Sequence, residues 1–247
     1  MDTVRNESAG AWGDLGNGYY NNPVLPADYS DPDIIRVGKD YYLITSTFVQ
    51  SPGITVLHSM DLVNWEIIGA AVKDITQISK IYNWDSMKGY GRGIWAPCLS
   101  YNPRNNRFYV HFADPDFGIF MAWTDDITQN KWSDLKEVIK TDGSGFGAGW
   151  DDCGVLWDED GQGYMAANHF AAGYKNYIFD LEQNGYTLKS EGVLVHETGD
   201  GLYNSYERNP EALKLFIKDG YVPPFGRKKR MVYILLFPCA FTLFFDI

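Results

Sequence analysis

Three acidic residues stand at equivalent places in a repeating sequence, and together they have the chemistry needed to cleave an acetal. Asp31, Asp152 and Glu211 each come just before an apolar segment with the pattern of a β-strand. Hydrolysis of a glycosidic bond with inversion requires a carboxylate that activates water and a carboxylic acid that protonates the leaving oxygen, roughly 6.5 to 9.5 Å apart. A third carboxylate nearby keeps that acid protonated through like-charge repulsion. We therefore predict acid–base hydrolysis if the fold brings the three side chains together.

The elements around these acids form a repeated unit of an apolar strand, a polar turn and an aromatic-rich strand. The unit occurs four times, at residues 34–44, 99–112, 155–167 and 212–222, and a polar turn at 218–220 divides the last copy. A second hairpin follows each of the first three copies, at residues 55–68, 119–139 and 177–195. Four strands per repeat of roughly 50 to 65 residues are typical of propeller blades.

A β-propeller would make the acids converge, because the innermost strand of every blade starts near the central axis. The corresponding position in the second repeat is Trp95-Ala96-Pro97, which carries no acid. Taken alone, Asp31-Pro32 would be interpreted as a simple turn, since both residue types favour turns. The repeat context favours the catalytic interpretation instead.

Composition also indicates an all-β fold. The 247 residues are 16% aromatic and include 25 Gly and 11 Pro, which favours short strands joined by tight turns and very little helix. A net charge of −11 would repel nucleic acid and anionic membrane surfaces, so we expect neither as a partner. Eight Trp and 17 Tyr suit the apolar faces of a neutral sugar.

We expect no metal and no cofactor. The four histidines have no zinc-ligand spacing, and Cys98, Cys153 and Cys239 show no CxxC pattern, so they are interpreted as structural thiols. The segment 158–161 (Asp-Glu-Asp-Gly) resembles the start of a calcium loop but lacks the glutamate that completes one, which favours a hairpin turn.

Several motifs in order give the sequence a resemblance to glycoside hydrolase family 43, the β-xylosidase and α-L-arabinofuranosidase family. Residues 22–34 and 52–65 resemble its first blade, and residues 93–97 (Gly-Ile-Trp-Ala-Pro) resemble its second-blade motif. The segments beginning at Asp152 and Glu211 are similar to those of the family's pKa-modulating aspartate and general acid. The resemblance implies that Asp31 is the general base, Glu211 the general acid, and Asp152 the residue that orients and tunes Glu211.

The family usually has Pro after the modulating aspartate, whereas Cys153 stands there in this chain. The neighbouring Asp151 is a second candidate, and the distance from the Asp160-Gly161 turn favours Asp152. The resemblance further implies an inverting, exo-acting enzyme for plant hemicellulose-derived sugars, acting on a small oligosaccharide or aryl glycoside. Trp95 and Phe48 are predicted to form the sugar platform, because both lie at strand ends that should face the axial pocket; a core role would explain either residue equally well.

The family fold has five blades, so we expect this chain to be an incomplete propeller of about three and a half blades. The predicted division is an N-terminal extension at 1–21, the catalytic propeller at 22–221 and an aberrant tail at 222–247, where a basic run and an apolar stretch replace the repeat. A frameshift or truncation near residue 221 is the favoured explanation. The resemblance would allow a structural calcium in the intact family fold, but the residues of this chain do not indicate one.

Alternatives from other classes stay open. A carbohydrate-binding propeller without turnover would have no need for three converging acids, whereas a non-functional gene fragment would fit the tail. Open propeller edges would favour low activity and self-association. The first residues lack the basic and apolar regions of a secretory signal, so the chain as given is expected in the cytoplasm, although its location stays open.

Overall fold

The computed structural model describes residues 13–86, 89–197, 211–221, 228–237 and 241–246. Within them the chain forms antiparallel β-strands, as the alternating and aromatic-rich segments predict. The strands are β1 (Asp33–Val37), β2 (Asp40–Ile44), β3 (Gly53–Ser59), β4 (Glu66–Val72), β5 (Trp95–Asn102), β6 (Arg107–Asp114), β7 (Gly118–Thr124), β8 (Lys136–Glu137), β9 (Asp151–Trp157), β10 (Gly163–His169), β11 (Lys175–Leu181), β12 (Val193–His196), β13 (Glu211–Tyr221), β14 (Lys228–Phe237) and β15 (Phe241–Asp246).

These strands make four sheets that follow one another along the chain. Sheet 1 has the order β1-β2-β3-β4, sheet 2 has β5-β6-β7-β8, sheet 3 has β9-β10-β11-β12, and sheet 4 has β13-β14-β15. All neighbours are antiparallel, and each sheet is a meander of consecutive strands. The hairpins predicted in the first three repeats are confirmed, including the turn after Asp158, whose carbonyl accepts a hydrogen bond from Gly161 N at 3.0 Å.

The fourth repeat differs from the prediction. The expected turn at 218–220 is wrong, because β13 runs without a break from Glu211 to Tyr221. Its residues Lys218, Asp219 and Gly220 pair with Met231, Arg230 and Lys229 of β14. A long partner strand supplies ladder hydrogen bonds through the Asp-Gly pair, and this overrides the local preference of that pair for a turn.

Helical structure in the described residues consists of single 3-10 turns at Ile75–Gln77, Lys80–Tyr82, Ile127–Gln129 and Phe170–Ala172. Asp74, Ser79 and Asp126 cap the first three by accepting a hydrogen bond from the backbone two residues later. The expectation of very little helix is confirmed. No helix in this part of the chain is long and apolar enough to span a bilayer.

The hydrophobic core lies between successive sheets. A tyrosine in the aromatic-rich second strand of each of the first three repeats, here called a repeat tyrosine, lies at each interface. Tyr42 of sheet 1 packs edge-on against Phe108 of sheet 2, with ring centroids 5.4 Å apart. Tyr109 of sheet 2 packs against Trp157 of sheet 3 at 4.9 Å. Tyr164 of sheet 3 lies in a buried cluster with residues of β13. The tyrosine of each repeat therefore packs its sheet against the next one, which is how propeller blades pack.

The innermost strands β1, β5, β9 and β13 surround a central channel. A cavity of about 550 Å³ is lined by Pro32 to Arg36, Cys98 to Tyr101, Gly154 to Trp157 and Lys214 to Phe216. Every innermost strand contributes three or more consecutive residues, so the four strands share one axis. Sheets packed face to face around such a channel form a β-propeller. Residues 1–12 and Cys239 lie outside the described residues.

Candidate active site

The first three innermost strands begin with the same one-residue bulge. In sheet 1, Asp33 pairs with Ile44, and Ser30 O accepts a hydrogen bond from Ser46 N at 3.0 Å. The chain advances three residues from Ser30 to Asp33 but only two on the partner side, so β1 has one extra residue. Sheets 2 and 3 shift their registers in the same way, between Trp95 and Cys98 and between Asp151 and Gly154. Bulges of this kind bend a strand and re-aim a side chain beside many functional sites.

The residue inside each bulge has a left-handed backbone. The φ angles are 48° at Asp31, 34° at Ala96 and 43° at Asp152. Such values are uncommon for residues other than glycine and cost free energy that the surrounding structure must offset. The three positions predicted to be equivalent from the repeat are therefore equivalent in backbone geometry, and Asp152, not Asp151, matches Asp31.

Glu211 begins β13, and a bulge follows it between Glu211 and Lys214. Here Glu211 is itself the paired residue, facing Phe237, whereas Asp31 and Asp152 lie one place inside their bulges. The bulge thus recurs in sheet 4, but Glu211 lies one residue earlier relative to its bulge than Asp31 and Asp152 do relative to theirs. Asp31 is exposed at the channel opening and Asp152 is half-buried.

A ring of contacts joins the four innermost strands one layer below the candidate acids. Asp33 of β1 accepts a hydrogen bond from Leu99 N of β5 at 2.7 Å. Cys98 Sγ of β5 accepts one from Val155 N of β9 at 3.1 Å. These links join strands that are consecutive around the channel, two or three residues beyond each bulge.

The ring continues from β9 to β13 and back to β1. A Cβ added at Gly154 would lie 2.5 Å from Leu213 O, so only glycine permits this approach of β9 to β13. Lys214 Nζ of β13 then lies 2.6 Å from Asp33 Oδ1 of β1. Because equivalent residues of all four strands meet in this layer, the strand starts that carry Asp31, Asp152 and Glu211 open at the same end of the channel.

The loop after β2 holds the first two repeats together at this end. Ser46 N donates to Ser30 O at 3.0 Å, and Ser46 Oγ accepts from Ala96 N at 2.8 Å. Buried Ser46 therefore contacts the residue preceding Asp31 and the residue following Trp95. It fixes the candidate base relative to the candidate platform.

Trp95 is half-buried, and its ring is fixed by three neighbours. Its Nε1 donates to Gly91 O at 2.8 Å, Phe170 stacks on it with centroids 6.5 Å apart, and the Arg92 guanidinium lies 5.9 Å from its centroid. Phe48 lies beside this group, since its backbone exchanges two hydrogen bonds with Ile94, at 3.0 and 3.1 Å. Phe48 is also half-buried and has a φ of 52°.

Several polar and aromatic groups at the same end were not among the residues predicted from the sequence. Arg92 pairs through two nitrogens with Asp116, and its Nε lies 2.8 Å from Asp116 Oδ2. Tyr82 donates its hydroxyl to Asp114 Oδ2 at 2.6 Å, and burial raises the pKa of both groups. Asp114 ends β6 next to Ala113, which pairs with Trp95, and Asp116 lies in the turn that follows. This placement depends on strand register and could not be read from the isolated residues.

The third sheet contributes a stacked pair. Trp150 lies against His169 with ring centroids 4.2 Å apart and an interplanar angle of 10°. Burial, followed by repulsion from Lys140 and Lys175, lowers the pKa of His169. Gly149 N donates to Pro115 O, which connects this pair to the loop that carries Asp116. His169 follows Asn168, which pairs with Asp151 of β9. Its place at the site is therefore set by the pairing of β10 with β9.

The described cysteines are buried inside the channel wall. Cys98 and Cys153 are both free thiols. Burial raises the pKa of Cys98 to about 12 and that of Cys153 well above its usual value, so both stay protonated near neutral pH. Within the described residues, no group of three or more His, Cys, Asp or Glu side chains is arranged to hold a metal ion.

Comparison with known proteins identifies the family. The profile of glycosyl hydrolases family 43 matches residues 20–222. A beta-xylosidase of Formosa agariphila is 35% identical over 227 residues, which are 88% of this chain and 35% of that protein. A non-reducing end alpha-L-arabinofuranosidase of Bacteroides ovatus is 30% identical over 220 residues, 77% of this chain and 40% of the relative. The chain belongs to glycoside hydrolase family 43, and it spans 35 to 40% of the length of these curated relatives.

Solved structures of the family show the same fold. The GH43 protein BlXynB of Bacillus licheniformis superposes with a TM-score of 0.64 at 26% identity, covering 92% of this chain and 43% of that one. A xylan beta-1,4-xylosidase of Bacillus halodurans gives 0.61 at 26% identity, covering 86% and 41%. The all-β architecture read from the repeats is confirmed by these matches.

Proposed function

We propose that this protein is an inverting, exo-acting glycoside hydrolase of the β-xylosidase or α-L-arabinofuranosidase type. The observation that carries the proposal is the shared left-handed bulge at Asp31 and Asp152, at the end of the channel where β13 begins with Glu211. Strained backbone of this kind is concentrated at active sites and ligand clamps. Carboxylates aimed at one axis have a direct use in cleaving an acetal.

The proposed reaction is a single displacement. Asp31 takes a proton from a water molecule as the water oxygen bonds to the anomeric carbon, while the bond from that carbon to the leaving oxygen breaks and Glu211 donates its proton to that oxygen. Asp152 holds Glu211 in its protonated form through like-charge repulsion. Proton exchange with solvent then restores both groups. Water and carboxylates suffice for this chemistry, so no metal or cofactor takes part.

The proposed substrate is a neutral sugar at the end of a short hemicellulose chain. The net charge of −11 disfavours anionic ligands, and Trp95 and Phe48 offer aromatic surface beside the channel opening. The curated relatives named above are a beta-xylosidase and an arabinofuranosidase, which makes pentosides the first substrates to test.

We propose that this site belongs to a propeller of five blades, of which the four sheets form part. A sheet edge left unpaired in such a ring would favour self-association, because it could pair with a strand of a second copy of the chain. Light scattering at several protein concentrations tests this self-association, and a monomer at all of them would contradict it.

Release of nitrophenol from aryl β-xyloside and aryl α-L-arabinofuranoside tests the function. Glu211→Ala and Asp31→Asn should each reduce kcat by on the order of 10²- to 10⁴-fold, because each removes one proton-transfer group. Asp125→Asn, a surface carboxylate paired with Arg107 at 2.8 Å, is the matched control and should retain the parent rate. Parent activity that survives Glu211→Ala would remove Glu211 from the acid role. A folded parent that binds xylose without turnover would indicate a carbohydrate-binding propeller instead.

A further inference from the structure

The ion pair between Asp33 and Lys214 joins the first innermost strand to the fourth. Lys214 Nζ lies 2.6 Å from Asp33 Oδ1, although the two residues are 181 positions apart. Both residues line the central channel. Asp33 is the residue at which regular pairing resumes after the bulge in β1, and Lys214 is the corresponding residue of β13. The pair therefore connects equivalent points immediately below Asp31 and Glu211.

Asp33 is held on both of its oxygens. Oδ1 faces Lys214, and Oδ2 accepts the hydrogen bond from Leu99 N of β5 at 2.7 Å. Only 10% of the Asp33 side chain is exposed, compared with 31% for Lys214. A carboxylate that ties three strands through two directional contacts has little freedom to move, and hydrogen bonds to charged groups are among the stronger ones.

The surroundings of the pair leave Lys214 charged. Burial opposes the charge, but the ion pair and hydrogen bond with Asp33 favour it, and the pKa of Lys214 is raised. Removal of either partner would leave an uncompensated charge in a largely buried place, which is costly. The pair thus persists as a unit across the channel.

We infer that Asp33 and Lys214 form a clasp that sets the position of Glu211 relative to Asp31. This inference deepens the proposed function and rests on it for the roles of the two acids. Asp33 lies two residues after Asp31 in the sequence. Lys214 lies three residues after Glu211, and the β13 bulge lies between Glu211 and Lys214. Both members are positioning residues, since they act through the strand starts and do not themselves transfer protons.

The clasp has a signature that a purely stabilising pair lacks. Inversion depends on a separation of roughly 6.5 to 9.5 Å between base and acid, so a shifted β13 mainly impairs protonation of the leaving oxygen. A substrate whose leaving group departs without a proton escapes that penalty. Xylobiose requires the proton, whereas 2,4-dinitrophenyl β-xyloside does not. Loss of the clasp should therefore slow the first substrate far more than the second.

The experiment compares the purified chain with Lys214→Met and Asp33→Asn on both substrates. We expect kcat on xylobiose to fall by about 30-fold or more in each variant, by analogy with the loss of general acid assistance, and kcat on the dinitrophenyl substrate to fall by less than about 3-fold. Lys189→Met is the matched control, because Lys189 is an exposed lysine that contacts neutral Gln162 at 3.1 Å. It should leave both rates unchanged.

The double variant Asp33→Asn/Lys214→Met guards against misfolding, because it removes both charges and leaves neither one unpaired. It should keep the selective loss on xylobiose while unfolding at a higher urea concentration than Lys214→Met. An equal fractional loss on both substrates, in the single and double variants, would assign the pair to stability alone and overturn the inference.

Amide hydrogen exchange separates failure of the clasp from failure of the proposed function. If the parent hydrolyses neither substrate, the proposed function fails and exchange decides about the clasp. Lys214→Met should accelerate exchange at residues 213–216 of β13, while Asp33→Asn should do so and keep Leu99 N protected, since the amide oxygen still accepts its hydrogen bond. Unchanged exchange at 213–216 in both variants would overturn the inference whatever the activity.

Discussion

His111 should make the protein lose stability as the pH falls below 6.5. It is fully buried on β6, and its Nε2 donates to Gly185 O at 2.7 Å in the loop that follows β11. Within the described residues, its Nδ1 has no hydrogen-bond partner. Protonation would place a charge on a buried imidazole between sheets 2 and 3. Burial therefore lowers its pKa from 6.5 to about 4, with the Gly185 hydrogen bond acting weakly in the opposite direction.

The magnitude follows from linkage between proton binding and folding. The unfolded chain binds a proton on this imidazole near pH 6.5 and the folded chain only near pH 4, so between these values the unfolded state holds more protons. Stability conferred by the neutral form is complete above pH 6.5 and is lost as the pH falls toward 4. With about 1.4 kcal/mol for each pKa unit, the loss is about 2 kcal/mol at pH 5 and about 3 kcal/mol in total.

Urea unfolding of the parent and of His111→Gln at pH 7.5 and pH 5 isolates this contribution. The glutamine amide stays neutral at both pH values, and its Nε2 replaces the donor to Gly185, so the parent should lose about 2 kcal/mol more than the variant. Other titrating groups affect both proteins alike and cancel in the comparison. Equal acid losses in the two proteins, or an NMR titration of His111 with its midpoint above pH 6, would refute the reasoning.

Four further predictions concern the channel and the reaction. Gly154→Ala should lower the free energy of unfolding by about 1 to 3 kcal/mol in urea titrations, because its Cβ would lie 2.5 Å from Leu213 O; an unchanged midpoint would contradict that approach. Asp152→Asn should move the alkaline limb of the kcat–pH profile to lower pH, since Glu211 would lose a repelling neighbour that keeps it protonated; a limb that does not move would deny Asp152 its tuning role. Trp95→Ala should raise KM for xylobiose by about 10-fold through loss of stacking, with the near-ultraviolet circular dichroism of the remaining aromatic core as control. Dialysis against EDTA should leave kcat unchanged, and restoration of a lost rate by calcium would contradict a reaction that uses carboxylates and water alone.

The repeat tyrosines show how far local pattern reaches. An apolar strand, a turn and an aromatic strand predicted the hairpins of the first three sheets, and Tyr42, Tyr109 and Tyr164 are buried at the successive interfaces. Strand periodicity and turn chemistry are properties of neighbouring residues, so the sequence carries them directly. The placement of Asp31 just before β1 and of Asp152 at the start of β9 was visible for the same reason.

The fourth repeat shows where local pattern fails. Lys218, Asp219 and Gly220 have the composition of a turn, yet they lie inside β13 because β14 offers a partner along this whole stretch. Whether such a segment turns or continues depends on what is available to pair with it. That information lies in another segment of the chain.

What the sequence determined by itself is the repeating strand unit, the acids that precede it and the family to which they point. Only the tertiary structure decided that Asp33 meets Lys214, that Arg92 meets Asp116, and that bulges with left-handed residues open the innermost strands. The physical reason is that strand periodicity depends on adjacent residues, whereas side-chain partners across a channel depend on the register and packing of strands far apart in the sequence.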